Sequence, residues 1–332
     1  MYPQSPPPKE TSGALTLFVA TLQALLPLFG LIAFGYLLKR GRVLHAAHAP
    51  VFNGLVVNAT LPALVIHSLL HAAPIPRSSA WLPFLIIASE CAVGCVVFAA
   101  ARAMRLSRAE QGAAILTSVF GNTGFLGYPI TLALMPAVFT SAVLIDNFGM
   151  AIPLYCTAPI IGAMFGGSQG NSREMLLRIA RSPVLSAAVL GILLRQIPIS
   201  PAIAHNMLLS DIGTAIDKCL TYLGQGTTPL VLLALGVSLQ PGAVKKYAVP
   251  LILTNSAKLI LEPLIVWPLC RLVGLPPEQT VLTVMIAAMP TSVMSSVLSG
   301  QYDLAGELAV ATVFTTTLLS AVVIPLWLTL LR

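Results

Sequence analysis

Hydrophobic stretches of about 20 residues recur along the whole chain and are separated only by short polar segments. A helix that rises about 1.5 Å per residue needs about 20 apolar residues to cross about 30 Å of hydrocarbon. Only 9% of the 332 residues are charged, whereas a soluble domain carries about 25%. The sequence therefore predicts an integral membrane protein. We expect an all-α fold, because lipid offers backbone groups no partner and the alternating pattern of barrel strands is absent.

The hydrophobic pattern predicts ten transmembrane helices. The proline-rich segment 1–14 precedes the first of them without a small-residue cleavage site, so we expect a disordered arm and no removable signal peptide. A polar segment at 167–182, predicted to be a cytoplasmic linker, separates two sets of five helices, 15–166 and 183–332. The helices are placed at about 15–38, 48–72, 80–104, 111–135, 137–166, 183–202, 211–240, 245–271, 278–299 and 304–331.

The basic residues concentrate in alternate loops. The loops after the first, third, fifth and seventh helices hold 11 lysines and arginines, whereas the other loops and the two tails hold 5. Cytoplasmic loops carry the excess of positive charge. We therefore expect both termini to lie outside, in a plasma membrane or bacterial inner membrane. The formal charge of +7 is thus a topology signal and gives no reason to expect nucleic acid as a partner.

The two sets of five helices repeat each other. Pro62 and Pro229 lie 167 residues apart in similar local sequences, and Pro83 and Pro250 have the same separation. Among 26 prolines some offsets coincide by chance, but the charge pattern independently turns the second set over. Because five is an odd number, the second set crosses the membrane in the opposite sense. Such inverted repeats are typical of secondary transporters, whose substrate site lies between the repeats near the midplane.

Two of the predicted helices carry interruptions at matching places. The fourth has three glycines and a proline within Phe120–Pro129, and the ninth has Pro290; both residue types weaken a helix. At an offset of about 169, Gly121–Thr123 falls opposite Pro290–Ser292. Such small residues also serve simple close packing between helices. We favour a carboxylate site, because half-helices that begin at a break direct N–H groups and a positive dipole end inward.

The candidate residues around these breaks fall into two groups. Those predicted to bind substrate are Asn122, Thr123, Pro290, Thr291 and Ser292. Those predicted to break a helix or form the crossover are Gly121, Gly124, Pro62 and Pro229.

Ionisable residues within the predicted helices are further candidates, because a charge at mid-bilayer costs about 2.5–3.5 kcal/mol on insertion scales. Glu90 and Lys258 occupy nearly equivalent places in the two sets, which suggests either an ion pair between them or two separately solvated charges. Glu262 lies one turn after Lys258, which favours a local salt bridge. Asp146 and Asn147 either bind a coupling ion and line the site or lie at the outer edge of the membrane.

His67 and His71 are spaced four residues apart, as two metal ligands on a helix would be. The sequence shows no third ligand, so we favour an interfacial location, and we assign Asp217 and Lys218 to the outer end of the seventh helix. The five cysteines form no CxxC pair, which gives no support to a disulfide framework or a zinc site. We predict no metal and no cofactor.

At this level of detail the sequence resembles the auxin efflux carriers, a family that includes the plant PIN proteins and smaller bacterial relatives. The resemblance covers nearly the whole chain. It is carried by the strings Leu61–Leu64, Gly121–Thr123, Gly127–Pro129, Ala287–Pro290 and Gln301–Tyr302.

The resemblance implies ten helices in two inverted five-helix repeats, with the broken fourth and ninth helices crossing. It also implies an elevator-like movement and a homodimer. Plant members are similar to auxin exporters and bacterial members to permeases for malate, malonate or other dicarboxylates. Plant carriers have an acidic residue at a place similar to Glu90, in a support site beside the substrate pocket, so the resemblance implies a supporting role for Glu90, although their lysine one turn later is Gly94 here. The short central segment and Gly121, where the plant branch usually has proline, favour a compact bacterial-type member.

These observations predict a secondary transporter that exports or exchanges small organic anions. No HExxH, GxSxG or P-loop motif occurs, which argues against an enzyme and means that a gradient or the membrane potential must drive transport. Proton or sodium coupling stays open. The alternatives are a cation-coupled symporter or antiporter of similar architecture and a receptor or scaffold without transport.

Overall fold

The computed structural model describes residues 11–71, 77–166, 181, 183–196, 207–239 and 244–331, and the regular structure in these ranges is helical. The first helix begins at Thr11. Residues 11–14, which were predicted to be part of the disordered arm, are therefore helical. The helix reaches back this far because the last proline of the arm is Pro8. Residues 1–10 and, apart from Arg181, the predicted linker 167–182 lie outside the described residues.

The helices of the described ranges follow one another with short connections. Numbered in chain order, they are α1 (Thr11–Arg40), α2 (Ala49–Leu55), α3 (Leu61–His71), α4 (Leu82–Ala103), α5 (Arg108–Val119), α6 (Tyr128–Leu134), α7 (Phe139–Leu144), α8 (Ile152–Phe165), α9 (Pro183–Gln196), α10 (Met207–Ser238), α11 (Ala248–Ser256), α12 (Glu262–Leu272), α13 (Pro277–Ala287), α14 (Val293–Gln301) and α15 (Gly306–Leu330).

Seven helical runs in the described residues are long and apolar enough to cross a membrane. Several of them join consecutive helices through π-helical turns, so the chain continues in one direction across the joint. The protein is therefore a multi-pass membrane protein. The seven runs are Thr21–Arg40, Ala46–His71, Arg77–Ala103, Pro136–Phe165, Asp211–Ser238, Ala248–Leu272 and Gly306–Leu330.

Three of the ten predicted transmembrane helices are absent from this set for identifiable reasons. The fourth is divided into α5 and α6 with the π-helical turn Thr123–Gly127 between them, and the ninth is divided into α13 and α14. The sixth is described only as α9, which has 14 residues, because 197–206 lie outside the described ranges. The all-helical membrane fold is thus confirmed, while the count of ten and the inverted repeat stay predictions.

The two prolines that were predicted to break helices both lie inside continuous helical runs. Pro62 is the second residue of α3 and directly follows a π-helical turn, Val56–Thr60. Pro229 lies inside α10, which continues without interruption from Met207 to Ser238, so the prediction of a break there is wrong. One proline removes a single backbone hydrogen bond, and a membrane helix held by its neighbours tolerates that loss.

The interior of the protein lies around the two divided helices. Leu116 of α5, Met285 of α13 and Leu308 of α15 have no exposed surface. α4 and α12 pack against this group from the side and against each other. Both helix interruptions are therefore enclosed by protein, and non-helical backbone at membrane depth is tolerated only where protein buries it or where it lines a cavity.

Candidate functional site

The two interrupted helices cross at their breaks. Gly121 and Thr291 form an isolated antiparallel bridge. The chain that enters this bridge from α5 is extended, with φ −94° and ψ 120° at Phe120. A short segment of strand-like pairing therefore replaces helical bonding at the crossing. Two main-chain hydrogen bonds hold it: Asn122 N–H to the Pro290 oxygen at 2.7 Å and Ser292 N–H to the Phe120 oxygen at 2.9 Å.

The carbonyl groups left without helical partners at the end of α5 accept hydrogen bonds from side chains of other segments. The Thr291 hydroxyl donates to the Thr117 carbonyl oxygen at 2.7 Å, and the Lys258 ammonium donates to the Val119 carbonyl oxygen at 3.5 Å. The last carbonyls of a helix have no partner within the helix and carry partial negative charge. Thr291 and Lys258 therefore stabilise the end of α5.

The helical segments that begin at the crossing present N–H groups to it. Ser292 caps α14, since its hydroxyl oxygen accepts from the Met294 N–H at 3.2 Å. Within the described part of the chain, no hydrogen bond leaves the N–H groups of Thr123, Gly124 or Val293. Two helical N-termini thus direct partial positive charge and open donors toward one place, an arrangement that suits an anion.

A cavity of about 170 Å³ lies at this place. Drug-sized ligands occupy cavities of about 300–1,000 Å³, so this one suits a smaller molecule. The Asn122 side chain is 4% exposed, and its amide Nδ2 has no hydrogen-bond partner among the described residues. The lining residues are Asn53, Val57, Leu61, Phe120, Gly121, Asn122, Thr123, Gly124, Phe125, Asp146, Met150, Ala151, Leu154, Tyr155, Ser292, Val293, Met294 and Val297.

The five residues predicted to bind substrate divide into two roles. Asn122, Thr123 and Ser292 line the cavity. Pro290 and Thr291 do not line it, and they build the crossing through the bonds described above. Gly121 lies at the bridge itself.

Asp146 also lines the cavity, next to Thr123 and Gly124. One of its carboxylate oxygens accepts from the Thr123 hydroxyl, and the other accepts from the Tyr128 hydroxyl at 2.8 Å. Gly124 packs against this carboxylate, since a Cβ there would be in ordinary contact with both oxygens, at 3.4 Å. Asn147 is buried behind the wall, where its amide donates to the Tyr128 oxygen at 3.3 Å and to the Val143 carbonyl at 2.9 Å.

A group of buried charges lies behind the crossing. Lys258 and Glu262 form an ion pair in which both side chains have no exposed surface, as the four-residue spacing predicted. The Lys258 ammonium lies close behind the bridge, 3.0 Å from where a Cβ of Gly121 would be. Glu90 is 3% exposed, and its Oε1 has no hydrogen-bond partner among the described residues.

The suggested ion pair between Glu90 and Lys258 is wrong, since no such pair is present among the described side chains. Glu262 lies one turn along the same helix and reaches the ammonium directly. Proximity on one helix therefore determines the partner of Lys258.

Comparison with protein families shows which family the chain belongs to and its general activity. A model of the membrane transport protein family matches residues 20–165 and 171–328, which is nearly the whole chain. The chain belongs to this family. The match confirms the resemblance to the auxin efflux carriers.

Relatives of this transporter come from archaea and bacteria. An uncharacterised transporter of Methanocaldococcus jannaschii is 26% identical over 90% of this chain and 94% of its own length. An uncharacterised transporter of Methanothermobacter thermautotrophicus is 24% identical over 94% of this chain and 98% of its own length. A Rhizobium meliloti protein, whose name assigns it provisionally to malonate transport, is 28% identical over 92% of this chain and 94% of its own length.

The sequence-based predictions missed two polar residues that line the transporter's cavity and a third that contacts one of the lining residues. Asn53 and Tyr155 line it, and Tyr128 holds Asp146. Tyr128 belongs to Gly127–Pro129, one of the strings that carry the family resemblance, but that string does not indicate its contact with Asp146. The places of Asn53 and Tyr155 depend on how α2 and α8 pack against the crossing, and the local sequence carries no signal for that.

The histidine pair acquires a third neighbour in the structure. Asp217 of α10 lies 3.1 Å from the Nδ1 atom of His67 and 3.6 Å from the Nε2 atom of His71. This group lies away from the cavity, none of whose lining residues belongs to it. Asp217 lies 150 residues from His67, and no local sequence pattern indicates a contact over that separation.

Proposed function

We propose that this transporter carries small organic anions, with a carboxylate group bound at the crossing. The observation that carries the proposal is the Asn122 amide, a buried donor that lines the cavity and has no partner among the described residues. A buried polar group without a hydrogen bond costs free energy, so such a group in a cavity indicates a ligand. The open N–H groups of Thr123, Gly124 and Val293 supply further donors for the same carboxylate.

The substrate class that fits is a short dicarboxylate of the malonate type. The cavity volume of about 170 Å³ suits a substrate smaller than the drug-sized ligands of larger cavities. The Rhizobium meliloti relative, named provisionally for malonate transport, points to the same class. Larger aromatic carboxylates of the auxin type fit the volume less well.

The proposed architecture is that of ten helices in two inverted repeats, both termini outside, working as a homodimer with an elevator-like movement. The meeting of the two breaks, at Gly121 and Thr291, supports it. The loop charges support the orientation. A negative interior favours export of a bare anion.

The direct test of the function is exchange in proteoliposomes. Vesicles loaded with unlabelled malonate should take up labelled malonate in a saturable manner, because a carrier with one site exchanges substrate across the membrane. Malate is expected to compete and indole-3-acetate to compete more weakly. Binding of malonate without any exchange would favour the receptor alternative, and the absence of both would contradict the anion site.

Asp146 places a carboxylate in the cavity proposed for the anion, so a positive charge is needed to accompany the bound substrate. Two unit charges about 4 Å apart, at an effective dielectric constant of about 20, repel by about 4 kcal/mol. This offsets one or two hydrogen bonds to a charged group, which contribute about 1.5–3 kcal/mol each. The Lys258 ammonium, which lies behind the crossing, is already paired with Glu262. We therefore propose that Asp146 takes up a proton when the anion binds, so that the two are carried together.

Replacing Asp146 with asparagine should separate exchange from proton coupling. Asp146→Asn removes the charge, so malonate exchange is expected to persist, whereas an imposed inward proton gradient should no longer accelerate net uptake. Initial rates of labelled malonate uptake, with and without the gradient, measure this. Glu278→Gln, at an exposed carboxylate of α13, is the control and should respond as the unchanged protein does.

Two outcomes bear on the alternatives for the coupling ion. If a sodium gradient and not a proton gradient drives uptake, and Asp146→Asn abolishes that effect, the carboxylate binds sodium. If uptake in the unchanged protein responds to neither gradient, the coupling proposal fails, while the exchange experiment still decides whether the protein transports anions.

A further inference from the structure

His67, His71 and Asp217 bring two imidazoles and a carboxylate together between two helices. His67 and His71 project from the last two turns of α3, and Asp217 projects from α10, which packs along α3. One ligand atom from each residue can be chosen so that all three lie within 4.8 Å of one another. The side chains are partly exposed, at 29%, 57% and 41%.

The hydrogen bond of His71 determines which of its ring nitrogens is available. Its Nδ1 lies 2.9 Å from the His67 carbonyl oxygen, and a carbonyl oxygen only accepts, so Nδ1 carries the proton. In the neutral ring the lone pair is then on Nε2, the atom that faces Asp217 at 3.6 Å. A metal-binding histidine characteristically donates its other N–H to a backbone carbonyl or a carboxylate.

A neutral His71 ring directs this lone pair at a carboxylate oxygen, and a cation held between the two atoms would turn the contact into an attractive one. Ligand atoms that lie about 2.0–2.1 Å from a tetrahedral zinc ion are about 3.3 Å from one another. The separations of 3.1 Å and 3.6 Å between Asp217 and the two histidines bracket that value. Small rotations of these partly exposed side chains would bring all three donors onto one ion. Two neutral imidazoles with one carboxylate also match the donor preference of zinc and its neighbours.

We propose that His67, His71 and Asp217 form a site for a divalent transition metal, of zinc type, with the fourth position left to water. The ion would join α3 to α10. Because Leu61, at the start of α3, lines the cavity, the site would act on a helix that borders the crossing. This proposal does not depend on the identity of the substrate.

The test is metal binding by the full chain, freed of affinity tags and treated with chelator. We expect calorimetric titration with zinc to show one ion per chain, and titration with cobalt to give the visible absorption of a nitrogen- and oxygen-ligated ion. His71→Ala and Asp217→Asn should each weaken zinc binding at least tenfold. Zinc should also raise the thermal unfolding midpoint of the unchanged protein and not that of the variants.

His45 and His48 provide the matched control. They are a second close pair of histidines, with ring centroids 5.5 Å apart, and no carboxylate joins them among the described residues. His48→Ala should leave zinc affinity unchanged. Each variant should melt as the unchanged protein does in the presence of chelator, which shows that the fold is retained. Equal zinc affinity in His71→Ala, Asp217→Asn and the unchanged protein would overturn the site, and so would the absence of binding.

Discussion

Asn122→Ala is expected to reduce malonate exchange to near background at low substrate concentration. The amide lines the cavity, is 4% exposed and has no partner among the described residues. A hydrogen bond to a charged group contributes about 1.5–3 kcal/mol, which corresponds to a rise of about 10- to 150-fold in the half-saturation concentration. Exchange of labelled malonate over a range of concentrations measures it. The amount of inserted protein should not change.

The control for this substitution is Asn58→Ala. Asn58 is exposed, lies outside the cavity lining, and donates its amide to the Gly54 carbonyl oxygen within its own helical segment at 2.8 Å. The same chemical change there should leave exchange within about twofold of the unchanged protein, because surface substitutions are usually within about 0.5 kcal/mol. Normal exchange by Asn122→Ala would show that the carboxylate binds elsewhere.

Lys258→Met should destabilise the protein strongly. The substitution removes the partner of Glu262 and the donor to the end of α5, and both side chains of the ion pair have no exposed surface. Breaking a buried ion pair by removing one partner costs about 3–5 kcal/mol. For a domain of 150–250 residues, about 2–4 °C is lost per kcal/mol, so we expect the unfolding midpoint in detergent to fall by about 10 °C.

The double variant Lys258→Met with Glu262→Leu distinguishes the charge from the packing. Replacement of a whole buried pair by apolar residues of similar volume is often neutral. The double variant should therefore recover most of the stability that the single variant loses. If it is no more stable than the single variant, the ion pair is not the cause of the loss.

Lys246→Met is the surface counterpart of this experiment. Lys246 forms an ion pair with Glu307 at 2.6 Å, and the side chains are 62% and 66% exposed. The hydrogen bond to Glu307 raises the pKa of the Lys246 ammonium, which therefore stays charged at physiological pH. Because water and salt screen exposed pairs, we expect the unfolding midpoint to change little.

The sequence was sufficient to predict the class of the fold and the places where helices break. Glycine and proline disrupt a helix through local backbone chemistry, so the interruptions near Gly121 and Pro290 were visible without tertiary information. Whether a single proline interrupts a helix depends on the packing around it and not on the local sequence alone. Pro62 follows a π-helical turn, whereas Pro229 is accommodated in an unbroken helix because of its surroundings.

The candidate site could be predicted only in part for the same reason. Asn122 and Thr123 were found from the break itself, and they line the cavity. Asn53 and the neighbour of His67 and His71, Asp217, depend on contacts between distant helices. The partner of Lys258 was decided by the geometry of a single helical turn, which sequence spacing does show.

The hydrogen bonds at the crossing limit which substitutions homologues can have there. The two bonds use main-chain atoms only, so most side chains there can vary while the crossing is retained. Position 121 is different, because a Cβ would lie 3.0 Å from the Lys258 ammonium and 3.1 Å from its Cε. Homologues with a larger residue at 121 should therefore have a shorter side chain at 258. An alignment of many homologues would reveal this as paired substitution across the two halves.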